Sequence, residues 1–316
     1  MDEEQPETFV VSESHAGVRL DQFLAEFLEI SRAHARRLLG DGLVELDDRP
    51  VKEKDKGRSL ALGAVVRVGE FRMPEDQRTL PESADNPSGA VVGVLASGDG
   101  WLAIDKRPGF PVHPLREGET GTVLNVVTSM HPEVHGVGEG GLRSGVVHRL
   151  DVDTSGVLLV AIAQPAWDRL REAFRSHVVE KTYRAIVAGN LREPIDQEVG
   201  LVVAQHRPAR VRVTDIPETP EASGVRAAVQ QVRPLEQLPG ASLVEIRPRT
   251  GFLHQIRATL ADLGHPVLGD EIYGDDEIRR RAPRHLLHAA ELRFENVRVA
   301  SPDPQDFTAL LQKLRG

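Results

Sequence analysis

The tightest constraint on the fold is a pair of apolar runs, residues 146–150 and 157–161, separated by a six-residue polar loop from Asp151 to Gly156. Each run has the length of a strand rather than of a helix. Two buried strands joined by so short a loop would hold a carboxylate, Asp151, on a rigid frame while leaving it accessible. Residues 101–105 read as a further strand, and Pro165 can open a helix that shows Ala166, Leu170 and Phe174 on one side. Tyr183, Ala185 and Val187 alternate with Thr182, Arg184 and Ile186, a strand pattern, and residues 243–247 form another. Residues 252–263 read as a helix stopped by Gly264 and Pro266. The order is neither a regular βαβ series nor all-β, so the expected class is α+β with a mixed, mostly antiparallel sheet.

The N-terminal part reads as a separate small α/β unit over residues 17–70. Leu20, Phe23, Leu24, Phe27 and Leu28 follow the spacing of an amphipathic helix. Ser31 can cap a second helix that Gly40 or Gly42 would end. That helix carries Arg32, Arg36 and Arg37, and the first two share a face because they are four apart. A solvated helix face is the bland reading of these arginines; a phosphate-contacting face is the functional one. Short strands follow at residues 43–46 and 64–68, with Asp47 and Asp48 at a turn. Residues 71–90, rich in Pro, Ser and acids and without periodicity, read as a linker. Residues 1–16 read as an acidic disordered tail, and residues 91–316 as the main domain.

Composition then narrows the function. With no cysteine in 316 residues, a disulfide framework, cysteine-ligated metal and thiol catalysis are excluded, and a cytoplasmic home fits. No apolar run is long enough for a transmembrane helix, and the acidic opening lacks the basic start and apolar stretch of a secretory signal. The net charge of −9 owes −5 to Asp2, Glu3, Glu4, Glu7 and Glu13, so basic patches elsewhere can still face phosphate. His113, His148, His254, His265 and His288 lack clear metal spacing and read as hydrogen-bonding groups, so no metal site is expected. A monomer is the default.

Three stretches can carry chemistry. The 151–156 loop offers Asp151 as a nucleophile or base, with Asp153 and Thr154 able to stiffen the backbone, although the same residues are ordinary turn formers. Residues 249–257 lead from a strand end into a helix, a junction where polar groups can meet an anion. Residues 181–185 set Tyr183 among cations.

Taken together and in order, these stretches resemble the RluA-type pseudouridine synthases. The resemblance rests on His148-Arg149-Leu150-Asp151 followed by Thr154-Ser155-Gly156, with matching segments at 105–113, 181–185, 249–257, 264–274 and 287–289. The N-terminal unit resembles the small RNA-binding domain named after ribosomal protein S-four, through residues 18–24, 31–39 and 42–46. The resemblance implies that Asp151 is the essential catalytic aspartate and that Arg257 pairs with it and keeps it charged. It further implies that Tyr183 lies against the target base and assists proton removal from carbon 5, and that Ile256 packs on the uracil. Arg149 would hold the RNA with its nucleotide turned out of the stack, which the chemistry requires because the glycosidic bond is unreachable inside a helix. His148 and Thr154 join the expected substrate site, and Arg32, Arg36 and Arg37 the expected RNA-binding face. The reaction detaches uracil, turns it and rejoins it through carbon 5, so no cofactor is implied, and no Gly-rich phosphate loop is present.

The chain departs from the family pattern at Phe252-Leu253, where Arg-Thr is common, at Thr259, where histidine is frequent, and at Val152, where a basic residue is common. Its strand turn has Asp48-Arg49 in place of Asn-Gly. The expected substrate is structured RNA, first of all large-subunit ribosomal RNA, with transfer RNA as an alternative. A non-catalytic RNA-binding or ribosome-assembly factor is the competing reading. A third reading, an aspartyl phosphatase built on Asp151-Val152-Asp153-Thr154, would need a parallel βαβ series.

Overall fold

A computed structural model describes residues 7–82, 92–206, 208–218 and 224–316. The chain divides into two compact units, Met1–Gln77 and Arg78–Gly316.

In the first unit, α1 (Leu20–Phe27) buries Leu20, Phe23 and Leu24, as its spacing requires. In α2 (Arg32–Gly40), the Ser31 hydroxyl accepts from the His34 N–H at 3.2 Å, so the expected cap is made. Strands β1 (Glu7–Val10), β2 (Val44–Leu46), β3 (Arg49–Pro50) and β4 (Val65–Val68) form an antiparallel sheet in the order β1-β4-β2-β3. Asp47 and Asp48 both take positive φ, the backbone that a tight hairpin between β2 and β3 demands.

Two segments differ from the sequence reading. Residues 7–10, assigned to a disordered tail, pair with β4, because Phe9 packs against Phe23 and Phe27 and the following Val11 is buried. Residues 1–6 of that tail lie outside the described residues. The described part of the expected linker is not free chain either. Phe71 and Met73 pack on the first unit's core. Residues 78–82 belong to the second unit, where the Glu82 N–H donates to the Asn125 carbonyl at 3.0 Å and the Asn125 side-chain amide donates to the Leu80 carbonyl at 2.7 Å. Residues 83–90 of that linker lie outside the described residues.

The second unit is built on one large sheet. Its strands are β5 (Val92–Gly98), β6 (Trp101–Lys106), β7 (Ser155–Ala161), β8 (Glu180–Ala188), β9 (Ile195–His206), β10 (Ala209–Thr214), β11 (Arg226–Leu238), β12 (Ala241–Pro248), β13 (Leu287–Phe294) and β14 (Val297–Ala300). Their order is β10-β9-β11-β12-β8-β13-β7-β6-β5, with β14 added on β13. Every pair is antiparallel except β13 with β7. This is the mixed, mostly antiparallel α+β architecture expected from the sequence, and among the described residues there is no parallel βαβ series of the kind the phosphatase reading needs.

Helices cover the sheet. Helix α3 (Val123–Met130) packs Val123, Leu124 and Val127 with Ile104 and Leu158. Helix α4 (Gln164–Arg175) packs Ala166 and Leu170 with Leu159 and Ala161. Helix α5 (Gln255–Asp262) packs Ile256 and Leu260 with Val187 and Ile246. A short α6 (Asp276–Arg280) precedes β13, and the C-terminal α7 (Gln305–Arg315) buries Phe307 and Leu311 beside Ile186 and Leu243. Strand β7 is buried along its whole length, which explains its unbroken apolar sequence.

Residues 146–150, expected as a strand, are not one. Val146 makes an isolated bridge to Val160. The Val146 and Val147 carbonyls accept instead from Trp167 Nε1 and Arg171 Nη1 of α4, both at 3.2 Å. Side chains of a helix thus take the place of a ladder and free the segment to curve into a cleft wall. Helix α5 also starts later than expected, at Gln255. His254 before it sits in the left-handed region with φ 51°, and the Phe252 N–H donates to the Gln255 side chain at 3.2 Å.

Candidate active site

The expected loop opens into a cleft of about 910 Å³ whose wall includes Asp151, Tyr183, Ile256 and Arg257. Asp151 sits in the loop that leads into β7, ahead of Val152, Asp153 and Thr154, and its side chain is 24% exposed, enough to meet a ligand. Its Oδ2 accepts from Arg257 Nη1 at 2.9 Å, although 106 residues separate the two. Arg257 lies in the first turn of α5 and is almost fully buried. Its remaining edge is held by Asp270, with Nε to Oδ2 at 2.7 Å and Nη2 to Oδ1 at 2.8 Å. Asp270 is itself fully buried, and its Oδ1 also accepts from the Ile272 and Tyr273 N–H groups. Burial drives the Asp270 carboxyl up, but the Arg257 guanidinium and the two amides bring it below its usual range. Burial likewise lowers Arg257, and the Asp270 and Asp151 carboxylates more than reverse it. The result is a fixed cation with one N–H aimed at Asp151, a bidentate arrangement that leaves the guanidinium no other orientation.

The loop itself is clamped from below. Lys106, at the end of β6, is fully buried, and its Nζ donates to the Val152 carbonyl at 2.7 Å and the Thr154 carbonyl at 2.8 Å. Burial lowers this lysine to about 7. Gly156 takes φ 113°, and a Cβ there would overlap the Ala289 backbone, so the strand following the loop passes too close to β13 for any side chain.

Tyr183 lies on β8, paired with Ile246 on one side and Ala289 on the other. It packs in the same apolar cluster as Ile256. Burial raises its hydroxyl well above the usual phenol range, and the Asp151 charge adds to the shift, so the phenol keeps its proton. The site therefore brings together a carboxylate, a cation that orients it, a protonated phenol and an apolar surface.

The other expected site residues are placed differently. Arg149 is exposed at the cleft wall, free of the core. His148 stacks on Phe174 with ring centroids 4.4 Å apart, and its Nε2 accepts from the Leu159 N–H at 2.9 Å. Burial lowers it to about 3, so it is neutral and braces the cleft wall. Thr154 is buried and shares a hydrogen bond of 2.9 Å with His285 Nε2. Phe252 and Leu253 line the cleft and pack with Val203, Val213 and Tyr273, an apolar edge. Thr259 is fully buried, and its hydroxyl accepts from the Gln230 amide at 2.7 Å. Among the described residues no three His, Asp or Glu side chains converge as a metal site, and no helix is long and apolar enough to cross a membrane.

In the N-terminal unit, Arg32 and Arg36 are not simply a solvated face. With Arg19 they converge on Asp21, which is fully buried: Arg36 Nε lies at 3.0 Å, Arg32 Nη2 at 3.2 Å and Arg19 Nε at 3.0 Å from its oxygens. Burial alone would raise the Asp21 carboxyl; the three guanidinium hydrogen bonds overcome that and bring it to about 2. The folded value is below the unfolded one, so this contribution is present above about pH 4 and is lost as the pH falls through about 2. We expect wild-type protein to lose about 2 kcal/mol more than Asp21→Asn between pH 5 and pH 2, measured as urea midpoints of the N-terminal transition by circular dichroism. Equal losses would show that the cluster does not hold the carboxylate.

Sequence reasoning named Asp151, Arg257, Tyr183 and Ile256 but not Asp270, Lys106, Arg284 or His285 as site residues. Lys106 and Asp270 lie inside segments that match the family, so a signal was there; Arg284 and His285 stand just before the matching 287–289 segment and carried none.

Comparison with known proteins places the chain in a family. The family model described as RNA pseudouridylate synthase matches residues 100–262, and that of the S4 domain matches residues 18–56. An uncharacterized RNA pseudouridine synthase of Mycobacterium bovis is 34% identical over 97% of each chain. Ribosomal large subunit pseudouridine synthase D of Vibrio parahaemolyticus is 30% identical over 98% of this chain and 94% of its own. Among solved structures, human RNA pseudouridylate synthase domain containing 1 is similar with a TM-score of 0.55 and 25% identity, over 75% of this chain and 97% of its own. The protein with the cleft at Asp151 thus belongs to the RluA-type RNA pseudouridine synthases and carries an S-four RNA-binding domain before its synthase domain.

Proposed function

We propose that this enzyme isomerises specific uridines in large-subunit ribosomal RNA, with Asp151 as the catalytic carboxylate acting on a flipped-out nucleotide. The observation that carries the reading is the 2.9 Å contact from Arg257 Nη1 to one Asp151 oxygen, which leaves the other oxygen for the ribose of a bound uridine. Uracil then leaves carbon 1 of the sugar, turns against Ile256 and Tyr183, and bonds through carbon 5. The C1′–N1 bond is exchanged for a C1′–C5 bond, carbon 5 gives up its proton to a base at the site, and N1 takes one up, so product and substrate are isomers. Arg149 at the cleft wall holds the strand with the nucleotide unstacked. Ribosomal RNA is favoured over transfer RNA by relatives, matching nearly the whole chain, that are named ribosomal large subunit pseudouridine synthase D. In this reading the enzyme acts in the cytoplasm, as a monomer and without a cofactor.

Arg32, Arg36 and Arg37 form the RNA face of the N-terminal domain in this reading. Replacing all three by alanine should weaken RNA binding and reduce the slope of log affinity against log salt by about 2 to 3. A slope equal to that of wild type in a folded variant would return them to a purely structural role. The substrate itself is tested by mapping pseudouridine at single-nucleotide resolution in host ribosomal and transfer RNA, with and without the gene. Loss of a site in large-subunit ribosomal RNA is expected; loss confined to transfer RNA would overturn the ribosomal assignment.

A further inference from the structure

The backbone carbonyls of Val152, Asp153 and Thr154, which follow Asp151 directly, all accept from buried basic side chains. Lys106 takes the first and third. The second, of Asp153, accepts from Arg284 Nη1 at 2.8 Å. Arg284 is only 7% exposed and uses the same nitrogen on the His285 carbonyl at 2.9 Å. Its other edge is paired bidentately with Asp306 of the C-terminal helix, Nε to Oδ2 at 2.7 Å and Nη2 to Oδ1 at 3.0 Å. An arginine cannot shed its charge when buried, so its position depends on the carboxylate that neutralises it.

We propose that Asp306 is a positioning residue for catalysis: through Arg284 it fixes the Asp153 carbonyl, and with it the placement of Asp151 against Arg257. The inference rests on the reading of Asp151 as the catalytic carboxylate. Phe307 and Leu311 of the same helix seat it on the sheet core. Without Asp306 the guanidinium is a buried cation with no carboxylate, held only by backbone carbonyls and the Ser155 hydroxyl. It turns toward water, and the loop carbonyl loses its donor. Asp306 also accepts from the Phe307 N–H at 2.8 Å in the first turn of α7, so a helix-stabilising role is the competing explanation.

Asp306→Asn separates the two, because asparagine keeps an acceptor for the helix turn and loses the charge that Arg284 requires. Two readouts are made on the full chain. The first is amide hydrogen exchange: amides of residues 152–156 should exchange about tenfold faster or more, while those of β12 keep wild-type protection. The second is turnover of unmodified large-subunit ribosomal RNA made by transcription: kcat should fall about ten- to hundredfold with KM within about twofold of wild type. Asp306→Glu, which retains the charge, should recover part of both. Wild-type exchange at 152–156 in Asp306→Asn, or a uniform loss of protection across the sheet, would overturn the proposal. If wild-type protein leaves that RNA unmodified, the ribosomal assignment fails and the exchange result decides on Asp306 alone. Should Asp306→Asn yield no folded protein, Asp306→Glu carries the same readouts, with a smaller loss in the same direction expected and none overturning the inference.

Discussion

Asp151→Asn is expected to lower kcat for pseudouridine formation by a factor of about 10⁴ or more and to retain the fold. The substitution is nearly isosteric, and the side chain is partly exposed, so packing is little changed. Arg257 also stays in place, because its two bonds to Asp270 do not involve residue 151. The amide can still accept from Arg257 Nη1 but cannot supply a negative oxygen to the sugar. Binding should survive, since the contacts expected from Arg149, Ile256 and the N-terminal domain remain. The check is single-turnover conversion alongside RNA affinity. A variant that binds and turns over within tenfold of wild type would remove Asp151 from the chemistry.

Arg257→Ala should be worse for the protein as a whole. It deprives Asp151 of its orienting partner and strands Asp270, a fully buried carboxylate, with two backbone amides only. Breaking a buried pair by removing one partner typically costs about 3–5 kcal/mol. Chemical denaturation of the synthase domain, followed by its two tryptophans, Trp101 and Trp167, would read this directly. The double variant Arg257→Ala with Asp270→Ala should recover part of the stability, because the uncompensated charge is gone, but none of the activity. A double variant less stable than the single one would contradict the account of Asp270 as a stranded charge.

These two expectations draw on parts of the site that differ in how visible they are in the sequence. The 151–156 loop is local: strand-like residues, a carboxylate and turn formers are adjacent in the chain. The Asp151–Arg257 pair joins residues more than a hundred positions apart, and spacing alone gave no reason to connect them; only the order of several family-like segments did. Lys106 and Arg284 were harder still. A buried cation on backbone carbonyls follows from tertiary placement, and a lone lysine or arginine in sequence reads as surface. The same limit explains Arg32 and Arg36. Their shared helix face was legible, but Asp21, from the preceding helix, decides that they are half-structural.

The fold shows a parallel contrast. Strands with clean alternation, such as β8, and helices with an apolar stripe, such as α1, or a side-chain cap, such as α2, lie where the sequence signals put them. Residues 146–150 have strand composition, but their carbonyls are claimed by Trp167 and Arg171, an override by side chains that no local pattern announces. The N-terminal β1 was hidden by acidic composition, although Phe9 and Val11 carried the packing signal.

The most direct test of the account is complementation followed by pseudouridine mapping of ribosomal and transfer RNA. A strain lacking the gene receives either the wild-type protein or Asp151→Ala at matched abundance. The account predicts that wild type restores a pseudouridine in large-subunit ribosomal RNA and that Asp151→Ala restores none. Restoration of the same site by Asp151→Ala would contradict the assignment of this carboxylate, and with it the mechanism built on Arg257, Lys106 and Arg284.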